Sequence, residues 1–166
     1  MFSEADQLST PLKDGLWVAD DPDCAFDTNL PKEQWRKCAT WTIVSGNKFV
    51  DFSGDKEDDR IVGLLIAGGQ PPIVQVDTID DEQHAFIFVA VEPTERDAAG
   101  AVTSLNLWGI ACGTVKTAGS SQVDPYPGFD KDCHPLSTSA LRAAAVASRP
   151  ETKGPDRMRW VRGEAR

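Results

Sequence analysis

Residues 15–44, GLWVADDPDCAFDTNLPKEQWRKCATWTIV, constrain the fold more than any other stretch. They carry three of the five tryptophans and two of the four cysteines. Two strand-like runs, 15–19 and 39–44, frame a polar loop with a cysteine near each end. In the second run Ala39, Trp41 and Ile43 alternate with Thr40, Thr42 and Val44. That is the two-residue period of a strand, rich in β-branched residues. Asp20-Asp21-Pro22-Asp23 ends the first run, because proline fixes φ and aspartate side chains cap nearby backbone N–H groups. The stretch reads as the opening of a β-sheet, stapled by a disulfide, and it supplies no reagent.

Four cysteines, Cys24, Cys38, Cys112 and Cys133, allow three pairings. They fall into two local couples, each bracketing a polar loop, so the expected pairs are Cys24–Cys38 and Cys112–Cys133. Zinc needs ligand spacings such as C-x-x-C or H-x-x-x-H, which do not occur, and only His84 and His134 supply imidazoles. Disulfides imply an oxidising compartment. Residues 1–4 have neither the basic nor the apolar region of a signal peptide. The expectation is an exported chain, periplasmic or otherwise in the cell envelope, whose signal has been removed. Any membrane attachment would come through a lipid anchor lost with it. Residues 1–13 then read as a polar lead or tether, and residues 14–166 as a single domain.

Strand-like runs continue along the chain. Ser45-Gly46-Asn47 is a tight turn into Lys48-Phe49-Val50-Asp51-Phe52, so a hairpin is expected. Residues 61–67 are continuously apolar, as in a strand covered on both faces. Residues 73–79, 85–91 and 102–112 follow, with 92–100 expected as a loop. Residues 85–91 are the most apolar run and the expected central strand, antiparallel to 102–112. Residues 113–134 should form a long irregular loop. Residues 137–148 form the one convincing helix, capped by Ser137 or Thr138 and stopped by Pro150. Residues 157–162 read as a closing strand. The fold class is therefore mainly β: an antiparallel, curved or barrel-like sheet with one C-terminal helix, with α+β as the alternative.

Gly15-Leu16-Trp17 ahead of antiparallel strands and a late helix resembles the lipocalin-like barrels. That superfamily pairs a G-x-W on the first strand with an arginine on the last, a part open here to Arg159 or Arg162. Bacterial periplasmic metalloprotease inhibitors share the barrel type and an early disulfide. The 112–133 loop departs from the lipocalin pattern. The whole chain also resembles uncharacterised exported bacterial lipoproteins. No functional residue carries over from either resemblance.

The formal net charge of −9 opposes phosphate binding, so no nucleic-acid partner is expected. From His134 onward seven Lys or Arg face three acids, leaving this part at +4 and folding against an acidic body. No G-x-S-x-G elbow is present. Ser45-Gly46-Asn47-Lys48 matches S-x-x-K in letters but falls on a turn. Cys133 and His134 are adjacent in sequence, which points their side chains apart. Acids cluster at 20–23, 55–59 and 80–82, which read as solvated turns, and a glycosidase-like carboxylate pair among them stays open because sequence does not show separation in space. No cofactor or metal is expected. Tyr126 and Phe129, in a loop stiffened by Pro125 and Pro127, are the candidate binding residues; the alternative is that they plug an edge of the core. Trp17, Trp41 and Trp160 read as core or near-core, whereas Trp35 sits among charged neighbours and reads as partly covered. Two functions stay open: a non-catalytic binding or accessory protein of the bacterial cell envelope, its partner a protein or a small apolar ligand, and a small carboxylate-dependent hydrolase.

Overall fold

The computed structural model describes residues 2–8, 11–31, 34–51, 60–80, 83–115, 123–150 and 156–163. The protein is mainly β. Its strands are β1 (Gly15–Ala19), β2 (Trp41–Ser45), β3 (Lys48–Asp51), β4 (Arg60–Ala67), β5 (Ile73–Asp80), β6 (Gln83–Arg96), β7 (Val102–Gly109), β8 (Gly113–Val115), β9 (Val123–Pro125) and β10 (Asp156–Arg162). Among the described residues there is one α-helix, α1 (Thr138–Ala147), which precedes β10. Strands β1 to β7 form an antiparallel meander, and β10 inserts between β7 and β1 to close the ring in the order β1-β10-β7-β6-β5-β4-β3-β2. The small β8–β9 hairpin stands apart, within the stretch expected to be irregular.

Strand alternation sorts the apolar residues into a lumen and two outer faces. Trp17, Val44, Leu64, Ile66, Val74, Val76, Val91, Val102 and Leu105 form the lumen cluster. The opposite faces of the same strands are buried in two separate places. Leu16, Val18 and Ile43 lie under Trp35 and Phe26 of the β1–β2 connection. Ala67, Ile73, Ala90 and Trp108 lie under Leu141 and Ala145 of α1. The continuous apolar run of β4 is thereby explained: Leu64 and Ile66 face the lumen, and Ala67 meets the layer that carries the helix.

Helix α1 starts where expected. Ser137 Oγ accepts the Ala140 N–H at 3.1 Å. Its buried residues are Leu141, Ala144 and Ala145, small enough for the backbone to approach the barrel. Trp108 Nε1 donates to the Ala145 carbonyl at 2.9 Å, across that contact. Arg142 reaches from the helix to the β4–β5 turn, donating to the Gly68 carbonyl and lying over the Phe2 ring.

Three expectations need correction. The polar segment 92–100 does not begin as a loop, because β6 runs on to Arg96. Its polar side chains find partners on neighbouring strands and beyond while staying partly exposed: Thr94 bonds Ser104, Glu95 pairs with Arg157, and Glu92 pairs with Arg149. The register shift around Pro93 absorbs the missing N–H. Second, β6 is not a central strand, since a closed ring has none, and Phe86 and Ile87 are 42% and 54% exposed. They sit near the β5–β6 end of the strand, which carries no partner from β7. Third, Trp35 is buried at 9% exposure where it was expected to be partly covered, whereas Trp17 is buried and Trp41 and Trp160 pack partly buried against the core, as expected. Arg36 and Lys37 beside Trp35 are exposed on a loop that folds back over the sheet.

Within residues 1–13, expected as a lead, Phe2, Leu8 and Leu12 pack on the barrel, while residues 3–7 are exposed. Phe2 is buried on the outer face, and its N–H donates to Gln75 Oε1 at 3.1 Å. After a single 3-10 turn, Glu4–Asp6, Gln7 bridges Ala67 and Leu12 bridges Val102. The chain thus crosses one end of the ring, from β4 to β7, before entering β1. That end, called lower here, also holds the β2–β3, β4–β5 and β6–β7 turns.

Candidate functional site

An eight-stranded ring has an interior just wide enough to be filled by side chains or to hold one small ligand. Here it keeps a cavity of about 180 Å³. Its walls are Leu12, Trp17, Thr42, Val44, Leu64, Val74, Val76, Val89, Val91, Leu105, Leu107 and Met158. Every wall residue except Thr42 is hydrocarbon, thioether or indole. All but Leu12, which comes from the segment before β1, face inward because they occupy alternate positions on their strands, as Val74 and Val76 do on β5 and Val89 and Val91 on β6.

The lower end is sealed. Leu8 and Leu12 pack against the lumen cluster. Leu8 N donates to the Ile66 carbonyl at 2.7 Å, and Lys13 N to the Val102 carbonyl at 3.0 Å. Two indoles hold the next carbonyls: Trp17 Nε1 donates to Lys13 O and Trp160 Nε1 to Asp14 O, both at 2.9 Å. The Lys13 ammonium lies 4.1 Å from the Trp160 ring centre and 3.0 Å from Asp97 Oδ2. The hydrogen bond from Lys13, helped by the Ala101 and Ala99 N–H groups, holds the Asp97 carboxyl below the usual carboxylate range.

Arg159 pairs with Asp20 at 2.7 Å, and Arg162 donates to Thr28 O and lies over the Trp35 ring. Gly15 has φ +129°, and a Cβ there would collide with the Arg162 carbonyl oxygen. The glycine lets β1 and β10 close the ring.

No protein-family model, curated protein or solved structure matches this chain.

Both expected disulfides form, Cys24–Cys38 and Cys112–Cys133. Cysteine spacing was thus a sound guide, and bonded Cys133 cannot act as a thiolate nucleophile. His134 lies with Asp130, Nδ1 to Oδ2 3.1 Å, on the surface. Tyr126 and Phe129 are both half-buried and lie away from the lumen. Phe129 packs against the layer under α1, and its N–H donates to Tyr126 O at 3.1 Å. Ser45 and Lys48 face each other across the β2–β3 turn. Asp20 is taken up by Arg159 and Arg157, and Asp21 caps the Asp23 N–H. The acids at 55–59 and 81–82 lie outside the described residues. Among the described residues, no group of three or more His, Cys, Asp or Glu is placed to hold a metal ion.

The carboxyls of Asp6, Asp97 and Asp130 are each shifted downward, mainly by hydrogen bonds from Ser3, Lys13 and His134 respectively. A general acid needs the opposite shift. A larger hollow of about 460 Å³ lies outside the ring beside Pro71, Pro72, Pro93, Trp108 and Val146. Its charged members, Glu92 and Arg149, pair with each other at 2.7 Å. The lumen residues were legible as strand interior. That they leave a void depends on the ring's closure, which sequence spacing does not encode.

Proposed function

We propose that this protein is a non-catalytic binding protein of the bacterial cell envelope that takes a small apolar ligand into its barrel. The observation that carries the reading is the cavity of about 180 Å³ walled almost wholly by apolar side chains. A dry apolar cavity of roughly 150 Å³ is known to accept benzene, so this one is large enough for a single ring or a short chain. Typical sites for larger organic ligands start at about 300 Å³. The two disulfides support an exported location, and the periplasm is the compartment proposed.

The test is thermal unfolding of the purified protein with benzene and hexane, beside a Val76→Phe variant that fills the cavity. A ligand at about one hundred times its Kd stabilises by about 2.7 kcal/mol, which is about 5–10 °C in Tm for a domain of this size. The expected result is a rise for the native protein and none for the variant. No rise with either hydrocarbon refutes the reading.

A further inference from the structure

Resting on that reading, we propose that residues 2–8 and 11–13 are a strap, latched at Phe2, that gates the lumen: the ligand passes the lower end when Leu12 lifts out of the cavity wall. Of the twelve wall residues, eleven sit on ring strands and Leu12 alone does not. Each ring strand has a bonded neighbour on either side, so it can move aside only by breaking ladder bonds. Moving Leu12 breaks only what holds the strap. The strap is held by little. The Gln7–Ala67 and Leu12–Val102 contacts are isolated bridges, outside any ladder. Beside them, Leu8 N donates to Ile66 O at 2.7 Å, Gly68 N to Asp6 O at 2.9 Å and Val102 N to Pro11 O at 3.1 Å. Residues 3–7 are exposed, and Leu8 and Leu12 are only partly buried. Few buried apolar contacts and isolated bonds near water put a segment among the first to open, which is where lids are found.

The two ends of the strap differ. At Lys13 and Asp14 the Trp17 and Trp160 indoles hold consecutive carbonyls, each at 2.9 Å, which makes a fixed hinge on β1 and β10. At the other end Phe2 sits in a socket in the layer under α1. The Arg142 guanidinium lies 5.0 Å from its ring centre, and the Gln75 side chain, itself buried, accepts the Phe2 N–H at 3.1 Å. Phe2 is the one strap residue that is fully buried, so it carries most of the hold on the free end. Once Phe2 leaves its socket, the segment can turn about Lys13–Asp14 and carry Leu8 and Leu12 off the lumen.

Trp17 is in the cavity wall and reports on what lies beside it. Bromine quenches indole fluorescence at short range, so stopped-flow mixing with bromobenzene follows entry, and dilution follows exit. Val76→Phe, which fills the cavity, identifies the quenching that comes from the lumen. Two variants test the strap. Phe2→Ala empties the socket. A double variant, Gln7→Cys with Ala67→Cys, pins the strap shut: facing Cα atoms of an antiparallel pair lie about 4.5–5.5 Å apart, within disulfide reach. Peptide mapping without reduction confirms the third bridge beside the two native ones. Pinning should slow entry and exit by about tenfold each and leave Kd within about twofold, because a gate changes rates and not the bound state. Phe2→Ala should speed both rates by about threefold or more. Rates unchanged in either variant overturn the gate and leave the apolar lumen standing. If bromobenzene gives no quenching that Val76→Phe removes, the lumen reading falls and the gate falls with it.

Discussion

Truncating Trp35 to alanine removes the centre of the outer layer over β1 and β2. Trp35 packs with Phe26 at a ring-centre distance of 4.8 Å and with Trp41 edge-on at 6.4 Å. Its Nε1 donates to Leu30 O at 3.0 Å, tying the loop to itself. Buried tryptophan-to-alanine changes cost roughly 3–5 kcal/mol. Trp35 retains 9% exposure, and the loop above it can settle, which places this site at about 3 kcal/mol. Each aromatic pair accounts for about 0.5–1.5 kcal/mol of that. For a domain of this length the loss corresponds to about 6–12 °C in Tm. The assay is thermal unfolding followed by circular dichroism, with the disulfides kept oxidised. Trp35→Phe keeps a ring against Phe26 and should recover at least half of the loss. A fall of less than about 2 °C for Trp35→Ala would refute the claim that the stapled loop is held to the barrel by this ring.

Asp97 provides a pH dependence. Its carboxyl lies below the ordinary value because Lys13 and two N–H groups bind its ionised form, so its contribution is present above about pH 4 and fades as pH falls through the lowered value. Asp97→Asn should flatten the acid side of the Tm–pH curve, and an unchanged slope would show that the Lys13–Asp97 contact adds nothing. Gly15→Ala should cost about 2 kcal/mol or more, measured by denaturant unfolding, because φ is +129° and the new Cβ meets Arg162 and Trp160. Native-like stability there would mean that β1 and β10 can move apart without loss.

The local elements were legible because each rests on a short-range rule. Alternation in 39–44, the Gly46-Asn47 turn and the Ser137 cap all appear in place. Both disulfides followed from nearest-neighbour pairing. What failed depends on partners distant in sequence. Glu92 to Arg96 looked like a loop because its salt-bridge partners, Arg149 and Arg157, lie far downstream. Trp35 looked exposed because its neighbours in sequence are charged, while its neighbours in space, Leu16, Val18 and Ile43, are not. Phe2 looked like part of a tether because Gln75, 73 residues away, supplies its hydrogen bond. The cavity is of the same kind, since each wall residue reads as ordinary core and only their joint arrangement leaves space.

The seam between β1 and β10 also governs the order in which this chain can fold. Each strand from β1 to β7 pairs with its neighbour in sequence, so the meander can grow hairpin by hairpin. The seam is different: it joins Asp14 to Trp160 across 146 residues, and β10 follows the helix and both disulfide loops. Until residues 156–162 arrive, β1 and β7 each present a bare row of N–H and C=O groups, the template on which chains pair with the wrong partner. Seven strands can be in place and the sheet still be adhesive along two margins. Closure by one short, arginine-rich strand removes both margins at once, so a chain cut short before β10 should aggregate rather than persist as a smaller barrel.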